Sequence, residues 1–291
     1  MSTREKVLSK ISAFPTLPVM ASRLLNLLDD QDSGISQIAE VIKYDPALTV
    51  NVLKAANSSY LGFSREVSSM TEAAVRLGTN WIFKIAISSL INSSVKKPAE
   101  GYDLSAEDLW KHSMVTALTA ENLCKMLKIK DKGQIFTAAI LHDMGKIVLG
   151  EFIADSFISI LRISEDDQIP FEEAEKKFIE IDHAEIGGLI AQRWNFPPQI
   201  VECIRFHHNP DAAADVTPAI DIVHIADALC LMADIGAGRA GLRHHPSENS
   251  IKRLQITSSI LELAVSQIPA ALESIDDIFK EMPVEQLAGR W

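Results

Sequence analysis

Ala219-Ile-Asp-Ile-Val-His-Ile-Ala-Asp-Ala-Leu-Cys-Leu-Met-Ala-Asp-Ile-Gly-Ala237 is the most hydrophobic later window of the chain, yet it carries Asp221, His224, Asp227 and Asp234. Those charges argue against a bilayer span. At helical spacing, Ile220, Val223 and Leu231 fall on one side and Ile222, Ile225, Leu229 and Met232 on the other. A helix that is apolar all round belongs in a core, and Asp227 is carried inside with it. A buried, unpaired carboxylate is too costly to stand alone, so this one demands a metal, another cation or a close hydrogen-bond donor.

Working outward, the spacing predicts helix nearly everywhere. Leu17, Met20, Ala21, Leu24, Leu25 and Leu28 recur at helical intervals, and Ile35, Ile38, Ala39 and Ile42 repeat the pattern after an Asp-Ser-Gly break. Asp45-Pro46 reads as an N-cap with proline at the first helical position, opening a helix that Asn57 ends. Further helices are expected at 71–77, stopped by Gly78, and at 80–91. Ser105-Ala-Glu-Asp108 reads as a capping box for a long helix to about Leu127. Beyond it, helices are expected at 133–142, 145–164, 171–179, 183–194, 198–208, 218–235 and 257–280. The reading is an all-α chain in two helical lobes: an N-terminal lobe at 1–100, a second lobe at 101–240, and a loop and C-terminal helix at 241–291.

A chain of 291 residues, 47% of them apolar, can bury a substantial core. With 28 basic against 39 acidic residues its formal charge is −11, a field that repels polyphosphate backbones and argues against general nucleic-acid or anionic-membrane binding. Cys124, Cys203 and Cys230 form no Cys-x-x-Cys pair, so neither a disulfide framework nor a zinc ribbon is expected, and a reducing cytoplasm fits. The opening Met1-Ser-Thr-Arg-Glu-Lys lacks an apolar signal core. Residues 165–182 hold eight acids, Glu175 among them, and read as a solvated face.

Ile140-Leu-His-Asp-Met-Gly-Lys146 sets an imidazole and a carboxylate side by side at the end of an apolar helix, where His142 and Asp143 can hold a divalent metal and the carboxylate can bridge to a second ion. His112 lies in phase with Leu109 and Val115 and so faces inward. Asp182 reads as a helix cap ahead of His183, and His207-His208 ends an amphipathic helix. His224, one turn from both Asp221 and Asp227, reads as a local hydrogen-bonding or supporting residue. His244-His245, in a loop rich in Gly and Arg, reads as having no ligand role. Lys146 can neutralise a phosphoryl oxygen or can be a surface lysine past a helix end.

His112, His142-Asp143 and Asp227, in that order on successive helices, resemble the H…HD…D signature of the HD-domain metal-dependent phosphohydrolases. Phe14-Pro-Thr-Leu-Pro18, Asp45-Pro-Ala-Leu-Thr49, Ala56-Asn-Ser-Ser59, Ala74-Val-Arg-Leu-Gly78, Asp182-His-Ala-Glu-Ile-Gly187, Trp194-Asn-Phe-Pro197 and Phe206-His-His-Asn-Pro210 resemble the motifs of one bacterial branch, the HDOD family. The resemblance covers about residues 12–235. It implies an HD-like helical bundle for the second lobe and a signalling or regulatory role. It also implies that His183, His207 and His208 match positions where the related HD-GYP phosphodiesterases carry additional metal-binding histidines. The chain departs from HD-GYP proteins by following its His-His pair with Asn-Pro-Asp-Ala-Ala-Ala-Asp rather than Gly-Tyr-Pro, which argues against hydrolysis of cyclic di-GMP.

The expected metal set is His112, His142, Asp143, His183, His207, His208 and Asp227, with Asp143 and Lys146 as the residues closest to any catalysis. Imidazole and carboxylate donors without thiolate suit one or two ions of iron or manganese, with zinc as the alternative. Two functions are expected to compete. One is a cytoplasmic bacterial signalling protein whose N-terminal lobe docks a protein partner and whose second lobe holds one or two metals that organise the pocket or sense a nucleotide or phosphoester. The other is an active phosphohydrolase on such a ligand.

Overall fold

The computed structural model describes residues 3–13, 27, 37–38, 41–42, 46–57, 67–70, 72–78, 82, 99–129, 132–236, 238 and 243–279. The expected helices at 17–28, 35–42 and 80–91 lie largely outside the described residues, as does the Asp45 cap. Every named element is helical, and a single isolated bridge, Ala99 to Leu104, is the one β feature among the described residues. No described helix is long and apolar enough to cross a membrane. The chain divides into two compact units: residues 1–15 with 97–271, and residues 16–96 with 272–291.

In the second of these units, α2 (Pro46–Ala56) ends at Asn57, as the sequence predicts. The Asn57 amide donates to the carbonyls of Leu53 and Val67 and accepts from the Val67 N–H at 2.7 Å, closing the helix and pinning the following strand of chain to it. The helical stretch 72–78 stops at Gly78, whose φ of +76° is the left-handed conformation a side chain resists.

The larger unit carries α1 (Thr3–Ala13), α3 (Ala106–Met126), α4 (Lys132–Leu141), α5 (Gly145–Ile153), α6 (Phe157–Asp167), α7 (Phe171–Ile179), α8 (His183–Arg193), α9 (Pro198–Phe206), α10 (Pro218–Met232), α11 (Glu248–Arg253) and α12 (Ser258–Ser266). A last helix, α13 (Ile268–Phe279), runs across the division between the units. The Ser105 hydroxyl accepts from the Asp108 N–H at 3.0 Å while Asp108 reaches back to the Ser105 N–H, a capping box worth about 1 kcal/mol. Pro198 and Pro218 open α9 and α10 at positions where a missing N–H costs nothing. From Ala219 to Leu231 every side chain of α10 is buried, as its all-round apolarity requires, while Met232 at its end is exposed.

α3 packs on α4 and α10, α4 on α9, and α8 on both α9 and α5. Gly145 opens α5 where that chain meets the start of α8. A Cβ at residue 145 would lie 1.9 Å from the His183 carbonyl, so only glycine admits this approach.

Two expectations need correction. The predicted single helix at 145–164 breaks after Ile153 into a 3-10 turn, Ala154–Ser156, before α6 begins. No glycine or proline marks that break. The predicted helix at 257–280 is two helices, α12 and α13, hinged at Gln267. Two helices had no expectation at all: α1, weakly amphipathic, and α11, a short turn capped by Ser247.

Candidate metal centre

The elements just described converge on one buried point. His112 comes from the middle of α3, His142 and Asp143 from the turn between α4 and α5, His183 from the first residue of α8, His207 and His208 from the end of α9, and Asp227 from α10. His112, His142 and His207 are fully buried, and Asp143, His183 and Asp227 are no more than 2% exposed. His208 is the least buried of the set, its side chain 8% exposed. All seven expected ligands are therefore in one place, and Lys146 joins them, buried, with its ammonium 2.7 Å from Asp143 Oδ2.

Their donor atoms fall into two groups, each within 4.8 Å of one another: His112, His142 and Asp227 in one, and Asp143, His183, His207 and His208 in the other. In the first, His112 Nε2 stands 3.0 Å from Asp227 Oδ1 and 3.2 Å from His142 Nε2. In the second, His183 Nε2 stands 2.9 Å from His208 Nε2. Asp143 faces both groups. Its Oδ2 is 3.4 Å from His142 Nε2 and 3.5 Å from His112 Nε2, while its Oδ1 is 3.4 Å from His183 Nε2 and 3.9 Å from His207 Nε2.

Hydrogen bonds on the far side of each ring decide which nitrogen faces inward. His112 Nδ1 donates to the Ile235 carbonyl at 2.7 Å, His142 Nδ1 to Ala139 at 2.6 Å, and His207 Nδ1 to Ile204 at 2.7 Å. His183 Nδ1 donates to the Glu175 carboxylate at 2.8 Å. With the proton held at Nδ1, each Nε2 is turned to the centre as a ligand atom. His224 serves the same end from one layer out: it accepts the Ser247 N–H at Nε2 and donates from Nδ1 to the His207 carbonyl at 2.7 Å. Both its nitrogens are spent, in keeping with a supporting role.

Glu175 was missed. The acid run 165–182 was expected to face solvent, and Glu165, Asp166, Asp167, Glu173 and Glu180 do. Glu175 is fully buried instead, accepting from the His183 N–H and ring and from the Tyr102 hydroxyl at 2.5 Å. The available signal was phase, since Glu175 stands four residues from both Phe171 and Ile179 on the apolar stripe of α7. Asp182 caps α8 by accepting the Glu185 N–H at 2.7 Å, as expected. His244, expected to have no ligand role, lies against the centre, with its Nε2 3.0 Å from Glu172 Oε2 and its ring 5.0 Å from that of His208.

Opposite charges in the centre hold one another. Burial alone would raise Asp143 and Asp227, but Lys146 and His142 on the first, and His112 and His142 on the second, hold both well below the usual carboxylate range. Burial disfavours the charged ring of His142 and of His183, yet their carboxylate neighbours, Asp143 first for His142 and Glu175 first for His183, raise each to about 10. Burial and neighbouring imidazoles push His207 and His208 well below the ordinary histidine value, leaving them neutral donors. Asp143 Oδ1 and His207 Nε2 are buried without any hydrogen-bond partner. Orphaned acceptors aimed at one point, and Nε2 atoms that face one another there and can give up their protons to a cation, fit a divalent metal.

Comparison with known proteins identifies the family and the fold. The HDOD domain family matches residues 14–210. An uncharacterized protein of Treponema pallidum is 27% identical over 76% of this chain and 43% of its own length. The chain spans less than half the length of the curated relatives it matches. Among solved structures, an HDOD domain protein of unknown function from Geobacter sulfurreducens superposes with a TM-score of 0.78, at 24% identity, over 95% of this chain and 97% of that one. A candidate phosphohydrolase from Shewanella amazonensis SB2B superposes with a TM-score of 0.67, at 26% identity, over 97% and 98%.

Proposed function

The chain belongs to the HDOD domain family, and we propose that it is a cytoplasmic signalling protein that binds a phosphorylated ligand at a pair of divalent ions held in its larger unit. The observation that carries this reading is the placing of Asp143, whose two oxygens face two separate groups of imidazole donors. His112, His142, Asp227 and Asp143 Oδ2 would hold one ion, and Asp143 Oδ1, His183, His207 and His208 the other. Nitrogen and oxygen donors without thiolate suit iron or manganese, then zinc. Bound there, such a pair supplies Lewis acidity to a phosphoryl oxygen.

The protein's own groups do the rest. Lys146 keeps Asp143 ionised and adds positive charge where a phosphoryl group would sit. The carbonyls of Ile235, Ala139 and Ile204 and the Glu175 carboxylate hold the rings in register. The signalling role is supported by the family and by a sequence before residue 100 with no acid, base or nucleophile constellation, which leaves that segment to a protein partner. A second reading, hydrolysis of the bound phosphoester, is favoured by the buried Lys146 and by the likeness to a candidate phosphohydrolase.

Metal analysis of protein purified without chelator tests the centre. About two ions per chain in the wild type, lost together in Asp143→Ala, is the expected result; a metal-free wild type rejects it. Turnover of a phosphomonoester and cyclic-nucleotide panel that vanishes in His142→Ala establishes hydrolysis, and silence with full metal leaves ligand binding as the function.

A further inference from the structure

We infer that the cavity beside His208 receives a second anionic group of the bound phosphoester, and that Arg205 is the residue that grips it. This rests on the metal-centre reading above and extends it to the class of ligand. The cavity, about 650 Å³, is of the size that takes a nucleotide-sized molecule, and His208 forms part of its wall, so it adjoins the second ligand group.

Its wall is rich in acids, yet most of them are engaged. Asp182 caps α8 and pairs with Lys176, Glu185 also pairs with Lys176, and Glu172 holds His244. Glu173 sits on the exposed rim. Arg205 differs. Among the described residues no carboxylate pairs with it, and its Nε is buried without a hydrogen-bond partner. Its stem lies on Gly188, where a Cβ would come within 3.0 Å of both Arg205 Cβ and Nε, so the glycine makes the room in which the guanidinium rests. A guanidinium lining a cavity with its donors unclaimed is a fork for a phosphate or carboxylate.

Arg205, in the last turn of α9, and His208, just past the end of that helix, line the same cavity. The second anionic group is therefore next to the one held at the metals, as in a nucleoside diphosphate and not in a monophosphate. Phe206, also in the wall, gives the remainder of the ligand an apolar surface.

The test uses the full chain loaded with manganese, desalted, and titrated calorimetrically with AMP and with ADP, its manganese content being measured before and after. Wild type should bind ADP about tenfold tighter than AMP, the scale of a charge-assisted contact. Arg205→Met, which keeps the stem on Gly188, should abolish that preference while leaving AMP affinity and manganese content unchanged, and Arg205→Lys should keep part of it. Full manganese with equal affinity for the two nucleotides, or an ADP preference that survives in Arg205→Met, overturns this inference alone. A wild type that takes up no manganese overturns the metal-centre reading and this inference with it.

Discussion

The two halves of the centre are built from the same donor types and differ in how they are enclosed. Around His112, His142 and Asp227 every donor is buried, and both histidines are anchored at Nδ1 by backbone carbonyls of the helical framework. Around His183, His207 and His208 the enclosure is partial. His208 is the least buried of the seven, its side chain 8% exposed; it borders the cavity, and among the described residues no carbonyl holds its Nδ1, which lies 3.6 Å from Asp227 Oδ2. Closed sites of this kind hold a metal for structure, and sites with an open side exchange ligands. On the proposed function, the difference would give retention to the first half and ligand binding to the second.

The sharpest way to break that comparison is to remove one histidine from each half. His112→Ala deletes a fully buried ring with both nitrogens engaged, and should cost about 2–4 kcal/mol of stability together with the first ion. His208→Ala removes a ring at the cavity edge without a backbone anchor among the described residues, and should cost less, about 1 kcal/mol, while lowering occupancy to about one ion. Chemical denaturation and metal analysis on the same preparations read both effects. Equal losses of stability in the two variants would mean that the halves are not differently enclosed.

A smaller effect separates charge from packing in the open half. Glu175→Gln keeps the shape and the hydrogen-bonding capacity, since the amide oxygen can still accept from His183 and the amide nitrogen can donate to the Tyr102 hydroxyl. What it removes is the negative charge that makes His183 a better donor. Loss of such a partner costs roughly 10–100-fold in metal affinity, and the loss should fall on the second ion alone. A uniform fall in both affinities, or none, would place Glu175 in the packing and not in the tuning of His183.

The same contrast governs what could be read from the sequence. α10 was legible because an all-apolar helix with one inward carboxylate has few alternatives, and α3 because a capping box and an inward histidine agree in phase. The break after Ile153 was not, because the segment keeps its apolar spacing through the turn, where Ile153 packs closely on Gly101. A Cβ added to Gly101, in the 3-10 turn at 100–102, would lie 2.4 Å from Ile153 Cγ1. Glu175 was hidden by its neighbours, since a carboxylate in a run of eight looks solvated unless its helical phase is weighed against Phe171 and Ile179. His244 was hidden because a loop has no period, and only the folded chain brings it to Glu172 and His208.

The subtlest test of the comparison is proton counting. In each half one imidazole is raised to about 10, His142 by Asp143 and Asp227, and His183 by Glu175 and Asp143, so at pH 7 each keeps a proton that a metal must displace. His207 and His208, pushed well below their ordinary value, have none to give at that pH. Metal uptake at pH 7 should therefore release about one proton per ion, equally from the closed and the open half, and affinity should fall as pH falls because protons and metal compete for the same Nε2 atoms. Calorimetry of manganese binding in buffers of different ionisation enthalpy measures the count. A heat independent of the buffer would show that the rings already face the centre unprotonated, and that the carboxylates, not the protons on His142 and His183, set the affinity of each half.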